Sequence, residues 1–239
     1  MRLVSLVPAL IVASLVTACD ADMNDVAVPD HFIVRVENVG DRLVASDGTE
    51  YLPAFSPGVW AVADEDTALF LEGEAASPGL ETQCEQGDPQ VLFAELEAGG
   101  SNAGFYPVEE MGSYLEGPIL PGDVRQFEVV AQPGEHLSLV GMYGQSNDIC
   151  VVLDRIAMFD PEAIDGEMTG ELRYFDAGTE LNEEPGIGPN QPSQETTPGS
   201  GMAEDGTMSP LEGDVDAAGH RYPAITEYLK LTVEPVFES

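Results

Sequence analysis

Asp176 and Glu180 stand four residues apart in Asp176-Ala-Gly-Thr-Glu180, directly after the strand-like run Gly170-Glu-Leu-Arg-Tyr-Phe175. A glycine-containing turn of this length can fold both carboxylates toward one point. Carboxylate and carbonyl oxygens crowded onto a bend suit a hard cation such as Ca2+, which takes roughly six to eight oxygens at about 2.3–2.6 Å. The competing reading is a pair of solvated loop acids, because the chain carries 44 acidic residues against 8 basic ones.

Other chemistry finds little footing. His31, His136 and His220 are far apart in sequence and lack metal-ligand spacing; the first two fall at strand starts and read as surface residues. There is no Gly-x-Ser-x-Gly elbow and no phosphate loop. Glu109-Glu110 and Glu183-Glu184 could each supply a carboxylate pair for glycoside hydrolysis, but chance pairs are expected in so acidic a chain. The chain therefore reads as non-catalytic.

The charge of −36, with Lys230 the only lysine, excludes nucleic acid and anionic headgroup surfaces as partners, since both need clustered Lys and Arg. Solubility or life at high salt accounts for most of the acids, which are spread along the whole chain. The apolar fraction of 43% is enough for a real core.

Residues 1–18 read as an export signal. Arg2 is the positive region, and Leu3 to Val16 form an apolar run too short for a membrane span and interrupted by Pro8. Val16-Thr-Ala-Cys19 resembles a bacterial lipobox, in which the cysteine is acylated and becomes the N-terminus; plain secretory cleavage with a free Cys19 thiol is the alternative. Acylation would anchor the protein to the cell envelope through lipid chains, each buried CH2 contributing about 0.8 kcal/mol. Cys84 and Cys150 remain. In an oxidising compartment an even pair suggests a disulfide, with two separate buried thiols as the other option.

The elements that must position the acids are mostly strands. Residues 19–30 form a polar tether. His31 to Val39, Ser56 to Val62, Thr67 to Leu71, Ile149 to Leu153, Arg155 to Phe159, Met168 to Phe175 and Tyr222 to Pro235 carry alternating or β-branched patterns. Arg125 to Ala131 and His136 to Tyr143, joined by Gln132-Pro-Gly-Glu135, read as a hairpin. Ser77-Pro and Asp88-Pro each open a short helix; in the second, Val91, Leu92 and Leu96 share a face and Gly99-Gly100 ends it. Residues 176–221 form a long Gly-, Pro- and Glu-rich loop, a length that is usually functional or disordered. The sum is one mostly β domain over 31–236, an antiparallel two-sheet sandwich with one or two short inserted helices. Trp60 and Tyr143 read as core or rim residues of that sandwich.

Several segments in order resemble the spondin N-terminal domain: Phe55-Ser-Pro-Gly-Val-Trp60, Leu71-Glu-Gly-Glu-Ala-Ala-Ser-Pro-Gly-Leu-Glu81 and Glu85-Gln-Gly-Asp-Pro89, then Ser138-Leu-Val-Gly-Met-Tyr-Gly-Gln-Ser-Asn-Asp148 and Phe175-Asp-Ala-Gly-Thr-Glu-Leu-Asn-Glu-Glu-Pro185. The resemblance spans roughly residues 31–236. It implies a C2-like antiparallel sandwich holding Ca2+ at one end through three acids, here Asp148, Asp176 and Glu180; the last is usually Asp in the animal proteins. The residues are compatible with that trio. Asp148 follows the Gly-Gln-Ser-Asn break after one strand and Asp176 the end of another, so neighbouring strands could bring both bends to one edge. Asn147, Asn182 and Glu183 are weaker candidate ligands. The ion would be structural, a clamp on the long loop. The implied role is an extracytoplasmic module for adhesion or cell-surface contact with an unknown protein or glycan. The alternative is a carbohydrate-processing or carbohydrate-sensing envelope lipoprotein.

Overall fold

The computed structural model describes residues 30–106, 117–159 and 166–237. The export signal 1–18, Cys19 with nearly all of the tether, and the Glu109-Glu110 pair lie outside the described residues.

In chain order the elements are β1 (His31–Asn38), a small hairpin of β2 (Leu43–Val44) and β3 (Glu50–Tyr51), β4 (Phe55–Asp64), α1 (Pro78–Gln86), α2 (Gln90–Ala98), β5 (Asn102–Tyr106), β6 (Val124–Val130), β7 (Glu135–Tyr143), β8 (Ile149–Ala157), β9 (Gly166–Glu167), β10 (Arg173–Asp176), β11 (Ser209–Pro210) and β12 (Leu229–Val236). One sheet runs β6-β1-β12-β9 and the other β11-β10-β8-β7-β4-β5. All pairings are antiparallel.

Alternation makes the sandwich. Phe32, Val34 and Val36 of β1 point inward and meet Leu137, Leu139, Val151 and Leu153 from the facing sheet, all buried. Each such side chain contributes about 1.5–3 kcal/mol by leaving water. The six-stranded sheet has a second apolar face. There Val59, Val140, Cys150 and Val152 pack beneath Leu80, Cys84 and Leu92 of the two helices. This double burial is why β7 and β8 read as nearly continuous apolar runs. Cys84 and Cys150 form a disulfide that ties α1 to β8.

Both helices start where the sequence signals them. Ser77 caps α1 by accepting from Leu80 N–H, and Gly87, at φ 66°, ends it in the left-handed conformation. Asp88 Oδ1 accepts from Gln90 N–H at the start of α2. Leu92 is buried, but Val91 is exposed and does not share its face.

Other expectations need correction. The Arg125–Ala131 and His136–Tyr143 arms are not a hairpin: β6 pairs with β1 and β7 with β4 and β8, so the Gln132–Glu135 turn carries the chain from one sheet to the other. Thr67–Leu71 is irregular, with a bend at Leu69 and Phe70, and Phe70 is set edge-on to Phe175 at 4.8 Å. Tyr222 to Tyr228 is not strand; a 3-10 turn over Ile225–Glu227 precedes β12. The two candidates Ile149–Leu153 and Arg155–Phe159 are one strand, β8, ending at Ala157; its register shifts opposite Leu137 and Leu139, and Arg155 takes φ 48°. The edge strand β5 carries no alternation strong enough to be read in advance. Trp60 is half-buried and parallel to Phe127 at 6.4 Å, and Tyr143 is fully buried.

The sandwich has two distinct poles. The register pairs His31 with Val236 and Asn38 with Leu229, so residues 31 and 236 mark one end. Asn38, Tyr143, Asp176 and Tyr228 mark the other: Asn38 Nδ2 donates to Pro53 O and Ile119 O, and the Tyr143 and Tyr228 rings lie 5.4 Å apart.

Candidate metal centre

Strand register alone brings two of the predicted acids together. β10 ends at Asp176, which pairs with Ile149, the first residue of β8. Asp148 immediately precedes Ile149, and its carbonyl accepts from Ala177 N–H at 3.2 Å, continuing the ladder one step past the strand. The two carboxyl groups are thus neighbours at the second pole.

The turn after Asp176 is built around them. Asp176 Oδ1 accepts from Gly178 N–H at 2.7 Å, closing an Asx turn. Gly178 sits at φ 67°, and a Cβ there would lie 2.5 Å from the backbone nitrogen of Thr207, so glycine is required twice over. Asp148 Oδ2 accepts from Thr179 N–H at 3.2 Å and Glu180 N–H at 3.1 Å. Asn182 Nδ2 donates to Asp176 Oδ2.

Several oxygens at this pole are left over. Asp148 Oδ1, Thr179 Oγ1, Asn182 Oδ1 and the Tyr143 hydroxyl are buried without a well-formed hydrogen bond among the described residues, although the Thr179 hydroxyl and the Glu85 carboxylate are close enough to interact. Asp148 is 0% exposed, Glu180 4% and Asp176 6%. Among the described residues no arginine, lysine or histidine pairs with any of the three acids; His220 bonds Asp216 instead. A buried anion without a counter-charge is costly, and its proton affinity rises to avoid the charge. Burial and the neighbouring Asp176 carboxyl push Asp148 up to about 8. Asp176 is also raised, by burial above all and by the Asp216 carboxylate, against the opposing bonds from Asn182, Gly178 and the Asp148 carboxyl group beside it.

Glu180 is held next door. Its carboxylate accepts from Gly201 N–H at 2.8 Å and from Asn147 Nδ2 at 3.3 Å, so it pins the residues 199–204 arm of the long loop to the pole. Burial raises its pKa, with Glu195 and Glu183 adding to the effect. Among the described residues no three His, Cys, Asp or Glu side chains stand as a ready-made metal cage. The weaker candidates separate. Asn182 presents its free carbonyl oxygen. Asn147 is spent on Glu183 N–H, Glu180 and Leu181 O. Glu183 is spent on Asn190, whose N–H and Nδ2 lie 2.9 and 2.6 Å from its oxygens, while Glu184 takes the Ser46 N–H and hydroxyl, both at 2.7 Å. Glu183 and Glu184 therefore face different partners.

The oxygens suit a hard cation: two neighbouring carboxylates, a hydroxyl and an amide carbonyl, without sulfur or imidazole. Two acids that the sequence did not single out adjoin the pole. Glu85 of α1 is 7% exposed and is pushed up to about 7 by burial, against a side-chain hydrogen bond with Thr179, with the nearby Glu180, Glu81 and Glu195 carboxylates adding to the rise. Its proximity follows from the disulfide, since Cys84 is bonded to Cys150, two residues past Asp148. Asp216 takes the His220 N–H at 2.8 Å, His220 Nδ1 at 3.0 Å and the Tyr222 hydroxyl at 3.3 Å. The Asp-x-x-x-His spacing is its only local signal.

No protein-family model matches the chain, and no curated protein matches it.

Proposed function

We propose that this protein is a non-catalytic, calcium-binding β-sandwich module of the spondin N-terminal type, exported and anchored to the cell envelope through acylated Cys19, and used for adhesion or surface contact. The family part of this reading rests on the ordered motifs quoted above. The single observation that supports the calcium site is the buried, unpartnered Asp148 Oδ1 beside Asp176, with no basic group among the described residues to offset either charge. Asp148 and Asp176 would hold the ion with the Asn182 and Thr179 oxygens, and Glu180 is the adjoining third carboxylate. A bound Ca2+ supplies the positive charge that lets both aspartates ionise in a dry site. The chain's own contribution is to set the ligands on strand ends and to lash residues 176–207 across them, through Gly206 N–H on Gly178 O and Glu204 N–H on Thr179 O. Residue 30, where the tether joins, lies at the opposite pole, so an anchored domain would present the calcium pole away from the membrane.

The test is a thermal melt in chelator and in millimolar calcium. A hundredfold excess over Kd stabilises by about 2.7 kcal/mol, or roughly 5–10 °C for a chain of this size. The wild type is expected to show that rise and Asp176→Ala to lose it. A wild-type protein that melts identically with and without calcium, and takes up none in a calorimetric titration, would end the proposal.

A further inference from the structure

At the calcium pole a cleft of about 670 Å3 opens between the β2–β3 hairpin and residues 214–227. Its volume is that of a small-ligand pocket. Leu43 and Val44 line one wall, and Pro223 and Ala224 the other. The carboxylates of Asp214 and Glu227 line it too, and neither makes a hydrogen bond or an ion pair among the described residues. Two basic residues also line the cleft: Arg221, whose guanidinium reaches Gly213 O at 3.3 Å, and His220, whose ring is engaged with Asp216 at 3.0 Å. Asp214 is held at φ 59°, a conformation that aspartate and asparagine tolerate better than other side chains, and its carbonyl is fixed by Tyr222 N–H at 2.9 Å.

The lining discriminates between ligand classes. A phosphate or carboxylate ligand would meet unspent carboxylates on a chain of net charge −36. A sugar ring needs an open aromatic face, and the two tyrosines of the cleft offer little: Tyr222 is 2% exposed, and Tyr51 is only part-exposed with Gly186 against its ring, where a Cβ would fall 2.3 Å from it. Two aliphatic walls with free carboxylates match an alkyl stem ending in a cation.

We propose that this cleft receives a lysine or arginine side chain from a basic segment of a partner protein, with the stem between the aliphatic walls and the charged head between Asp214 and Glu227. This specifies the partner class of the surface-contact module proposed above and rests on that reading. The same loop carries Asp216, whose carboxylate bears on Asp176, so the cleft wall and the calcium pole share one piece of backbone.

The experiment is fluorescence anisotropy of a labelled Lys-Gly repeat peptide against the intact protein, at an ionic strength where the Debye length is about 8 Å, so that distant acids are screened. Asp214→Asn with Glu227→Gln is compared with a control of equal net charge, Glu72→Gln with Glu171→Gln, in the groove on the outer face of β8 and β10. An asparagine keeps the left-handed backbone of position 214 accessible. The cleft pair is expected to weaken binding by about tenfold and the control by less than about twofold, since only directly paired charges matter once the remainder is screened. Equal losses in the two doubles would mean diffuse attraction and would overturn the proposal, as would no wild-type binding. The assay is run in chelator and in calcium, so peptide binding can fail while the calcium melt succeeds, and the reverse.

Discussion

The outer face of β8 and β10 carries a groove lined by Glu72, Asp154, Glu171 and Glu212, while the ends of the same two strands carry Asp148 and Asp176. Both regions are rich in carboxylates, and they differ in water and counter-charge. The groove acids are all exposed, Asp154 pairs with Arg155 at 2.8 Å, and Arg173 stands among them. The acids at the pole are buried, receive backbone N–H groups in place of cations, and leave one Asp148 oxygen unpartnered. In a chain of charge −36, a count of acids therefore locates nothing. Removal from water without compensation is what singles out the pole as the candidate cation site.

Cys150 lies on β8 between the two regions, so the disulfide offers the strongest way to separate them. Replacing Cys84 and Cys150 together by alanine opens a bridge spanning 66 residues, at a cost of about 4 kcal/mol by loop-closure entropy, or roughly 8–16 °C in the melt. Because the bridge also fixes α1 and Glu85 against the pole, the calcium increment should shrink as well. An undiminished increment would show that the strand ends alone hold the site.

Asp148→Asn should change the sign of the effect between conditions. A folded carboxyl raised above its unfolded value binds extra protons between about pH 4 and 8, so its contribution to stability falls as pH climbs through that window. Asp176, Glu180 and Glu85 are displaced in the same direction. The chelated wild type should therefore lose melting temperature from pH 5 to 8.5, even in salt high enough to screen surface repulsion, while the calcium increment grows. The substituted amide keeps an acceptor for the Thr179 and Glu180 N–H groups but cannot ionise. The variant should flatten the chelated profile, stand above wild type at pH 8.5 without calcium, and fall below it with calcium. A variant less stable in both conditions would indicate that Asp148 serves only as a hydrogen-bond acceptor.

The smallest effect belongs to the groove. Asp154→Asn removes an exposed pair worth at most about 1 kcal/mol and should move the melt by no more than about 2–4 °C, equally in chelator and calcium. A calcium-dependent shift there would erase the contrast between the two regions.

Much of this arrangement is written locally. Ser77-Pro and Asp88-Pro start helices because a side-chain oxygen and a pre-set φ suit a first turn in any surroundings. Alternation in His31–Asn38 fixes an amphipathic strand, and the Asp176–Glu180 spacing with Gly178 fixes a turn that presents oxygens. What sequence cannot encode at short range is which strand lies beside which. The Gln132–Glu135 turn has the composition of a hairpin, yet its arms belong to opposite sheets, because a turn sets a reversal of direction and the burial of both apolar faces sets the partner. The same holds for the site. Asp148 and Asp176 are adjacent because β8 pairs with β10 in one register, and Glu85 and Asp216 arrive through a disulfide and a distant loop. Residue types and turns were determined by short-range sterics. Burial, the withdrawal of counter-charge and the leftover oxygen were decided by the tertiary structure, since desolvation is a property of everything packed around a group.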